Sequence, residues 1–258
     1  MIGMQKQNRA FEERVGKIGK NVYGIKHKIG VMSGKGGVGK TTVAVNLAAH
    51  LAKKSKVGLL DADIDCPNIN RFMGISEKLS LSEDKMIPVR KFDIEVVSFA
   101  SLQEREDQPI IWRGPMLSNA IMQLLEHVKW GDLDYLIIDL PPGTSDAPLT
   151  VMQILKPDGM LIVTTPQRVA VTDAKKSVNM AKKLDVPIMG IIENMTGKVF
   201  GSGGGENAAK ELGISFLGRL SLKTSIARSA EDGKPFALKP LEHKEFNLIM
   251  DNIKAGLE

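Results

Sequence analysis

Residues 34–41 read GKGGVGKT, and this run lies between an apolar segment, 29–32, and a helical pattern that begins near Lys40. Between a strand and a helix, such glycines let backbone N–H groups close around phosphate oxygens, and the helix N-terminus adds a partial positive charge. A chance glycine-rich turn is the plain alternative, but it explains neither the full spacing nor the two flanking elements. The run therefore predicts a loop that binds the phosphates of ATP or GTP.

Two side chains of this loop are expected to act on the nucleotide. Lys40 should reach the β- and γ-phosphates, and the Thr41 hydroxyl should bind Mg2+, because a hard cation that bridges phosphates takes oxygen ligands. Lys35 is a second lysine that phosphate binding alone does not require. The residues predicted to contact the nucleotide are Gly34, Lys35, Gly36, Gly37, Val38, Gly39, Lys40, Thr41 and Thr42.

Acidic residues follow two further predicted strands: Asp61 and Asp63 at the end of the second, and Asp139 at the end of the fourth. Carboxylates at the carboxyl ends of parallel strands can reach the metal ion and the attacking water. We expect Asp61 and Asp139 beside Mg2+, Asp63 beside the hydrolytic water, and the backbone N–H of Gly143 near the γ-phosphate. The alternative is that these acids only end strands or cap helices.

Apolar segments alternate with helical patterns along the chain. Several of these segments are apolar without alternation, which is typical of parallel strands covered by helices on both faces. The pattern predicts an α/β fold with a doubly wound, mostly parallel sheet, an exposed connection over Glu77–Arg90 and a closing helix after Glu242. The predicted strands lie near 29–33, 56–61, 94–99, 134–139, 159–165, 187–193 and 215–219.

Composition and charge narrow the class of protein. A chain of 258 residues, 43% hydrophobic and 25% charged, can bury a substantial core. The formal charge is +5, and residues 1–28 carry the whole excess, with seven Lys and Arg against two Glu. We therefore expect a basic N-terminal arm, 1–28, and one P-loop domain, 29–258, whose neutral surface argues against binding nucleic acid.

Within the arm, Phe11, Val15, Ile18 and Val22 have helical spacing among basic residues, which favours a short amphipathic helix. Docking on the chain's own domain or on a partner is the preferred interpretation, and a membrane-surface helix is the alternative. The arm has no signal-peptide core and the chain has no apolar run long enough to cross a bilayer, so a cytoplasmic location is expected.

The motifs also resemble a known class of proteins. GKGGVGKT with its second lysine, DAD at 61–63 and DLPPG at 139–143 are similar to the deviant Walker A ATPases, which include MinD, ParA, the arsenite-pump ATPase and the nitrogenase iron protein. WRGPM at 112–116, together with TPQ and ENM, resembles the Mrp/ApbC branch of ATP-dependent iron-sulfur cluster carriers. The likeness runs from Ile29 to about Pro235. In this sequence, TPQ is residues 165–167 and ENM is residues 193–195.

The resemblance implies an ATPase that works with Mg2+ as a homodimer. In it, Lys35 would cross the dimer interface to the nucleotide of the other subunit, and Asn194 would bind the adenine edge. An exposed loop lysine and an ordinary cap are the respective alternatives. The implied function is iron-sulfur cluster assembly or transfer, with client apoproteins or a full-length carrier as partners. The residues expected to act in hydrolysis are Lys35, Lys40, Asp63 and Asp139.

The chain departs from these carriers at one point. They place a Cys-x-x-Cys pair between the Glu-Asn-Met strand end and a glycine-rich loop, but here 196–199 lead directly into FGSGGGE at 200–206. Cys66 is the only cysteine, whereas a four-iron cluster shared by two chains needs four thiolates. An iron-sulfur cluster is therefore in doubt, and an ATP-controlled binding switch like MinD or ParA, without a cluster, is the alternative function.

Overall fold

A central sheet of eight strands organises the part of the chain that the computed structural model describes, residues 2–83, 85–102, 114–239 and 243–257. The strands are β1 (His27–Ser33), β2 (Val57–Asp61), β3 (Ser80–Ser82), β4 (Lys85–Ile87), β5 (Val89–Lys91), β6 (Ile94–Ser98), β7 (Tyr135–Asp139), β8 (Gly159–Thr164), β9 (Ile188–Thr196) and β10 (Phe216–Ser221). Their order in the main sheet is β10-β9-β8-β1-β7-β2-β6-β5, and β3 pairs with β4 separately.

Helices cover both faces of this sheet. They are α1 (Ile2–Val22), α2 (Lys40–Leu51), α3 (Ile69–Met73), α4 (Gly114–His127), α5 (Asp146–Leu155), α6 (Arg168–Lys183), α7 (Gly204–Leu212), α8 (Thr224–Glu231) and α9 (Lys244–Ala255). All pairings in the main sheet are parallel except that of the edge strand β5 with β6. The doubly wound, mostly parallel α/β fold predicted from the sequence is confirmed.

The apolar runs form these strands because both faces of each strand are buried. All five residues of β2 and all six of β8 are buried. Successive side chains of a strand point to opposite faces, so Leu59 lies in one apolar core and Leu60 in the other. The seven predicted strands are all present, with ends that differ from the prediction by at most three residues.

The segment 77–90 is more regular than the exposed connection that we predicted. It contains the antiparallel pair β3–β4, and β5 begins at Val89 and extends the main sheet antiparallel to β6. Each of these strands has only three residues, which is too short for a periodic pattern to be recognised in the sequence. The prediction of exposure holds for β3, whose three residues are exposed.

The basic arm forms α1, a helix of 21 residues that is longer than the short helix we expected. Ile18 is 0% exposed and Val22 is 5% exposed, and both belong to the apolar core that α4 and α5 share. Arg14 and Lys17 form ion pairs with Glu126 of α4, at 3.1 and 3.2 Å. The arm therefore docks on the chain's own domain. The side chain of Phe11, part of the same prediction, lies outside the described residues.

The closing helix α9 also follows the prediction. Phe246, Ile249, Met250 and Ile253 are buried against the sheet, and α9 packs along β10. Glu242, where we expected this helix to start, lies outside the described residues. None of the described helices combines the length and the apolar character needed to cross a bilayer.

At the last turn of α2, His50 lies edge-on to Phe246, with ring centroids 6.3 Å apart. Burial, and then the neighbouring Lys254 and Lys53, lower the pKa of His50 to about 4, although Asp251 opposes them. An unfolded histidine titrates near pH 6.5. Between these two values the unfolded chain binds more protons than the folded chain, so the free energy of unfolding should fall as the pH is lowered.

We expect His50→Gln to lose less thermal stability than the natural chain when the pH is lowered from 6.5 to 4.5. Because His50 is partly exposed, we expect the two losses in free energy of unfolding to differ by only about 1 kcal/mol, or roughly 2–4 °C in Tm. Thermal unfolding at the two pH values measures it, with His127→Gln as the control because His127 is exposed. An equal drop in Tm for His50→Gln and the natural chain would contradict this prediction.

Candidate nucleotide-binding site

The GKGGVGKT run forms the connection between β1 and α2, as the sequence predicted. Gly37 and Gly39 have φ values of 78° and 87°, a region that L-residues with a side chain rarely adopt. The Ser33 hydroxyl donates to the carbonyl O of Lys35 at 3.0 Å and so holds the first turn of the loop. Positive-φ residues of this kind occur in the backbone nests that bind anions, so the loop has a shape compatible with phosphate binding.

Gly34 has a packing reason of its own. A Cβ atom placed on it would lie 2.1 Å from the backbone carbonyl carbon of Asp173 in α6. Any side chain here would therefore push α6 away from the loop. Gly36, in contrast, has open space around it. The predicted contacts of both glycines with nucleotide remain predictions.

Lys40 lies at the centre of an acidic cluster. It is 7% exposed, and its Nζ is 2.7 Å from Oδ1 of Asp139 and 4.0 Å from Oδ2 of Asp63. Burial is the largest single effect and opposes the charged form, but the carboxylates of Asp139, Asp63 and Asp61 together outweigh it, and the pKa of Lys40 rises above its ordinary value. The structure therefore brings together the lysine, Asp63 and Asp139 that the sequence assigned to one site.

Thr41 and Asp139 form the oxygen pair suited to a magnesium ion. The Thr41 hydroxyl donates to Oδ2 of Asp139 at 2.7 Å, and Asp139 is 1% exposed. Mg2+ is usually held by one or two protein oxygens, with phosphate oxygens and waters completing its octahedron. Such a site needs no third protein ligand. The two side chains therefore fit a magnesium ion that also binds nucleotide phosphates.

Asp61 lies beside Asp139, but its carboxylate is hydrogen-bonded within the protein. The two residues are paired across β2 and β7, and Asp61 is completely buried. Its carboxylate accepts hydrogen bonds from the Ser98 hydroxyl at 3.0 Å and from the backbone N–H of Ile69 at 3.1 Å. Burial and the nearby Asp139 raise the pKa of Asp61. This geometry ties the loop after β2 to α3 and β6, and metal binding by Asp61 stays a prediction.

Asp63 is the more accessible acid, with a side chain 14% exposed. Burial raises the pKa of Asp63 to about 6, although Lys40 opposes the shift. Its Oδ1 accepts the backbone N–H of Cys66 at 3.3 Å, which fixes the carboxylate at the edge of the site. A partly exposed carboxylate beside Lys40 can act on a water molecule at the γ-phosphate position.

Two predicted contacts have protein partners in this structure. The backbone N–H of Gly143 donates to the carbonyl O of Ser33 at 2.8 Å, so a bond to a γ-phosphate requires that contact to open. The Asn194 amide donates to the carbonyl O of Val38 at 2.9 Å. A Cβ on Gly39 would lie 2.0 Å from that amide nitrogen. Asn194 therefore supports the phosphate loop directly, which the sequence did not predict, and its adenine contact remains a prediction.

Glu193 is a further residue that sequence reasoning missed. It is fully buried inside β9, three residues before the strand ends at Thr196. Its carboxylate accepts the backbone N–H groups of Gly203 at 2.9 Å and Gly205 at 2.6 Å, and Arg219 on β10 pairs with it at 3.2 Å. A carboxylate at the start of α7 is favoured by the helix dipole. Glu193 thus fixes the strand end that carries Asn194. The sequence offered one signal for this role, which is an acidic residue next to that asparagine in an otherwise apolar strand.

Lys35 is half-buried in the loop. Within the ranges that the structure describes, its ammonium group forms no ion pair, while Lys40 forms two. Elsewhere in the loop, Val38 is 2% exposed and the carbonyl O of Thr42 accepts from Asn46 at 2.7 Å. Lys35 is therefore the loop cation that remains available for a further anionic group.

The residues do not fit a four-iron cluster held by cysteines. Cys66 is largely exposed, but slight burial, followed by the nearby Asp63 and Asp65, raises the pKa of its thiol, which disfavours the thiolate that binds iron. Gly197 and Gly201 exchange two backbone hydrogen bonds where carriers have their cysteine pair. No group of three or more His, Cys, Asp or Glu side chains in the described ranges is placed to hold a metal ion.

Part of the WRGPM motif cannot be placed. Trp112 and Arg113 lie outside the described residues, and Gly114 is the first residue of α4. Met116, the last residue of the motif, is 54% exposed.

Comparison with known proteins agrees with this geometry. A family model described as ParA, the NUBPL iron-transfer P-loop NTPase, matches residues 24–255. An iron-sulfur cluster carrier protein of Methanocaldococcus jannaschii is 48% identical over 257 residues, covering 94% of this chain and 89% of that protein. An iron-sulfur protein required for NADH dehydrogenase in Arabidopsis thaliana mitochondria is 39% identical, covering 92% of this chain and 80% of that protein.

Two solved structures share the fold of this chain. A nucleotide-binding protein of Archaeoglobus fulgidus in complex with ADP, with cobalt, is 35% identical, has a TM-score of 0.77, and covers 90% of this chain and 95% of its own. The cell division ATPase MinD of Pyrococcus furiosus has a TM-score of 0.68 at 22% identity, over 90% of this chain and 99% of its own, and shares the fold. The phosphate loop, the buried acids and these matches lead to one conclusion: the chain belongs to the family of NUBPL iron-transfer P-loop NTPases.

Proposed function

We propose that this protein binds and hydrolyses ATP with Mg2+ and uses the cycle in the assembly or transfer of iron-sulfur clusters. The observation that carries the proposal is the contact of Lys40 and Thr41 with the same buried carboxylate, Asp139, at 2.7 Å each. This arrangement supports a site for phosphate and a divalent cation at the carboxyl end of the sheet, where ligands of doubly wound folds bind.

Each side chain has a distinct part in the proposed hydrolysis. Lys40 would exchange its contact with Asp139 for the β- and γ-phosphates, and would neutralise the charge that develops there. Thr41 and Asp139 would hold Mg2+, which would supply positive charge to the phosphates. Asp63 would orient the attacking water. We propose that Asp61 affects the metal indirectly, through the neighbouring Asp139. Its own carboxylate already accepts hydrogen bonds from Ile69 and Ser98.

The iron-sulfur cluster enters this proposal as cargo, not as a group that the chain holds with four thiolates. Two copies of the chain supply two cysteines, and four are needed to bridge a four-iron cluster. We therefore propose that the protein works with a full-length carrier or directly on client apoproteins, and that it does so in the cytoplasm.

Anaerobic reconstitution with iron and sulfide tests the cargo role. The purified chain alone is expected to retain no cluster by absorbance and by iron and sulfide content, with or without Mg-ATP. Added to a cysteine-containing carrier of the same family, it is expected to accelerate transfer to an apoprotein only with hydrolysable ATP. Stoichiometric cluster on the lone chain would overturn the helper role, and an unchanged transfer rate would overturn the function in transfer.

We further propose that ATP pairs two copies of the chain, with Lys35 of each reaching the nucleotide of the other. Lys35→Ala should weaken pairing about tenfold, because one charge-assisted contact per site is lost. Light scattering with a slowly hydrolysed ATP analogue measures the change, and Lys129→Ala, an exposed lysine of another segment, is the matched control. Equal pairing in both variants would remove Lys35 from the interface.

The alternative of a MinD- or ParA-like binding switch rested on the basic arm. Ile18 and Val22 of that arm are buried, and Arg14 and Lys17 pair with Glu126. These contacts occupy the apolar face that a membrane or a partner would need. The arm therefore supports intramolecular docking, and neither membrane nor nucleic acid is among the partners that we propose.

A further inference from the structure

The phosphate loop lies at the carboxyl end of β1, and a second cavity lies at the amino ends of β1 and β7. Its volume is about 550 Å3, within the range of small-molecule sites. It opens where β1 and β7 begin and where α2 ends, whereas the phosphate loop lies where β1 ends and α2 begins. The cavity is lined by His27, His50, Leu51, Lys53, Lys54, Ser55, Tyr135, Lys254 and Leu257.

The lining is strongly basic. Three of its nine residues are lysines, and none is an Asp or Glu. Lys53 donates to the carbonyl O of Ala237, but in the described part of the chain neither Lys54 nor Lys254 forms an ion pair. Asp251 is the acidic residue that acts on His50 from beside the cavity. Two unpaired ammonium groups in one concave site attract an anion.

Aromatic and aliphatic side chains form one wall of the cavity. His27 and Tyr135 stack with their ring centroids 5.2 Å apart and their planes at 24°. Leu51 and Leu257 add aliphatic surface. A simple inorganic anion would leave this surface unused, whereas a ligand with a planar ring would cover it and gain stacking energy. The combination favours a molecule that carries both a ring and a negative group.

The buried Nδ1 atom of His50 is separate evidence for a ligand in this cavity. Its Nδ1 is buried and has no hydrogen-bond partner in the described residues, and such an atom costs free energy. The ring is surrounded by Lys53, Lys54 and Lys254, which oppose its protonation, by Asp251, which favours it, and by the edge of Phe246. An anion held by these lysines would stabilise a protonated His50.

We propose that this cavity binds a small phosphate ester with a planar ring, a ligand distinct from the nucleotide at the phosphate loop. Lys54 and Lys254 bind the phosphate, and the stacked His27 and Tyr135 cover the ring. Lysine suits this task because its ammonium is a compact charge with three donors for phosphate oxygens. Since α2 extends from the phosphate loop to this cavity, one rigid element contacts both sites.

Histidine NMR tests the proposal with AMP as the probe and with the phosphate loop first saturated with Mg-ADP. The ring signals of His27 and His50 should shift saturably, the pKa of His50 should rise above about 4, and the signals of His127 and His243 should stay in place. Adenosine should cause no shift at the same concentration, and inorganic phosphate should bind more weakly than AMP.

The variant Lys54→Glu/Lys254→Glu should weaken AMP binding by at least about tenfold, since two charge-assisted contacts are reversed. Lys244→Glu, an exposed lysine of the same helix α9, should bind AMP like the natural chain. Unmoved His27 and His50 signals, or equal binding by the double variant, would overturn the proposal. Inorganic phosphate that binds as tightly as AMP would overturn the role of the ring.

Discussion

Lys40→Ala is expected to reduce ATP hydrolysis at least about a thousandfold, which corresponds to about 4 kcal/mol of lost transition-state stabilisation. Lys40 is the only lysine that the structure places within 4.0 Å of both Asp63 and Asp139 among the described residues. We expect ATP affinity to fall as well, by about tenfold or more, because the β- and γ-phosphates lose a charge-assisted contact. Steady-state phosphate release and calorimetric titration measure the two losses.

The same substitution removes the cation that compensates two buried carboxylates. Asp61 is 0% exposed and Asp139 is 1% exposed, and a buried charge left without its partner costs about 3–5 kcal/mol. Thermal unfolding must therefore accompany the assay. Lys40→Arg keeps a positive charge opposite Asp139 but cannot present a compact ammonium to phosphate. A folded Lys40→Arg protein with normal hydrolysis would show that Lys40 acts only as a counter-ion.

Asp63→Asn should separate hydrolysis from binding. A carboxylate that orients the attacking water acts in the transition state more than in the ground state, so kcat should fall about a hundredfold while the Kd for ATP changes by about threefold or less. The substitution keeps the shape of the side chain and an oxygen for the N–H of Cys66. Single-turnover hydrolysis and calorimetry provide the two numbers.

The matched control is Asp65→Asn, an exposed acid two residues away. It removes the same charge from the same loop, and kcat should stay within about twofold of the natural value because the group is screened by water. If Asp63→Asn weakens ATP binding as much as it slows hydrolysis, Asp63 binds the ground state and the water-positioning role is wrong.

The sequence predicted the main sheet because its strands are buried on both faces and therefore stand out as continuous apolar runs. It predicted that Lys40 and Asp139, which are 99 residues apart, belong to one site, since the loop after β1 and the end of β7 lie where parallel strands end. The three-residue strands β3, β4 and β5 were missed because a pattern needs more residues than they have.

The sequence could not predict the contacts that depend on how loops pack against each other. The Asn194–Val38 hydrogen bond joins segments 156 residues apart, and the motif that identified Asn194 carried no information about its protein partner. The two hydrogen bonds that Oδ2 of Asp61 accepts likewise depend on where α3 and β6 place Ile69 and Ser98. The basic cavity at the amino ends of β1 and β7 is built from four distant segments, none of which contains a recognisable motif.

Calorimetric titration of the natural chain with ATP, with and without Mg2+, tests the central claim most directly. One ATP should bind per chain, binding should tighten when Mg2+ is present, and Lys40→Ala should remove most of the heat. Heat from the natural chain that is unaffected by Mg2+ and unchanged in Lys40→Ala, or no heat at all, would contradict a nucleotide site built from the GKGGVGKT loop and Asp139.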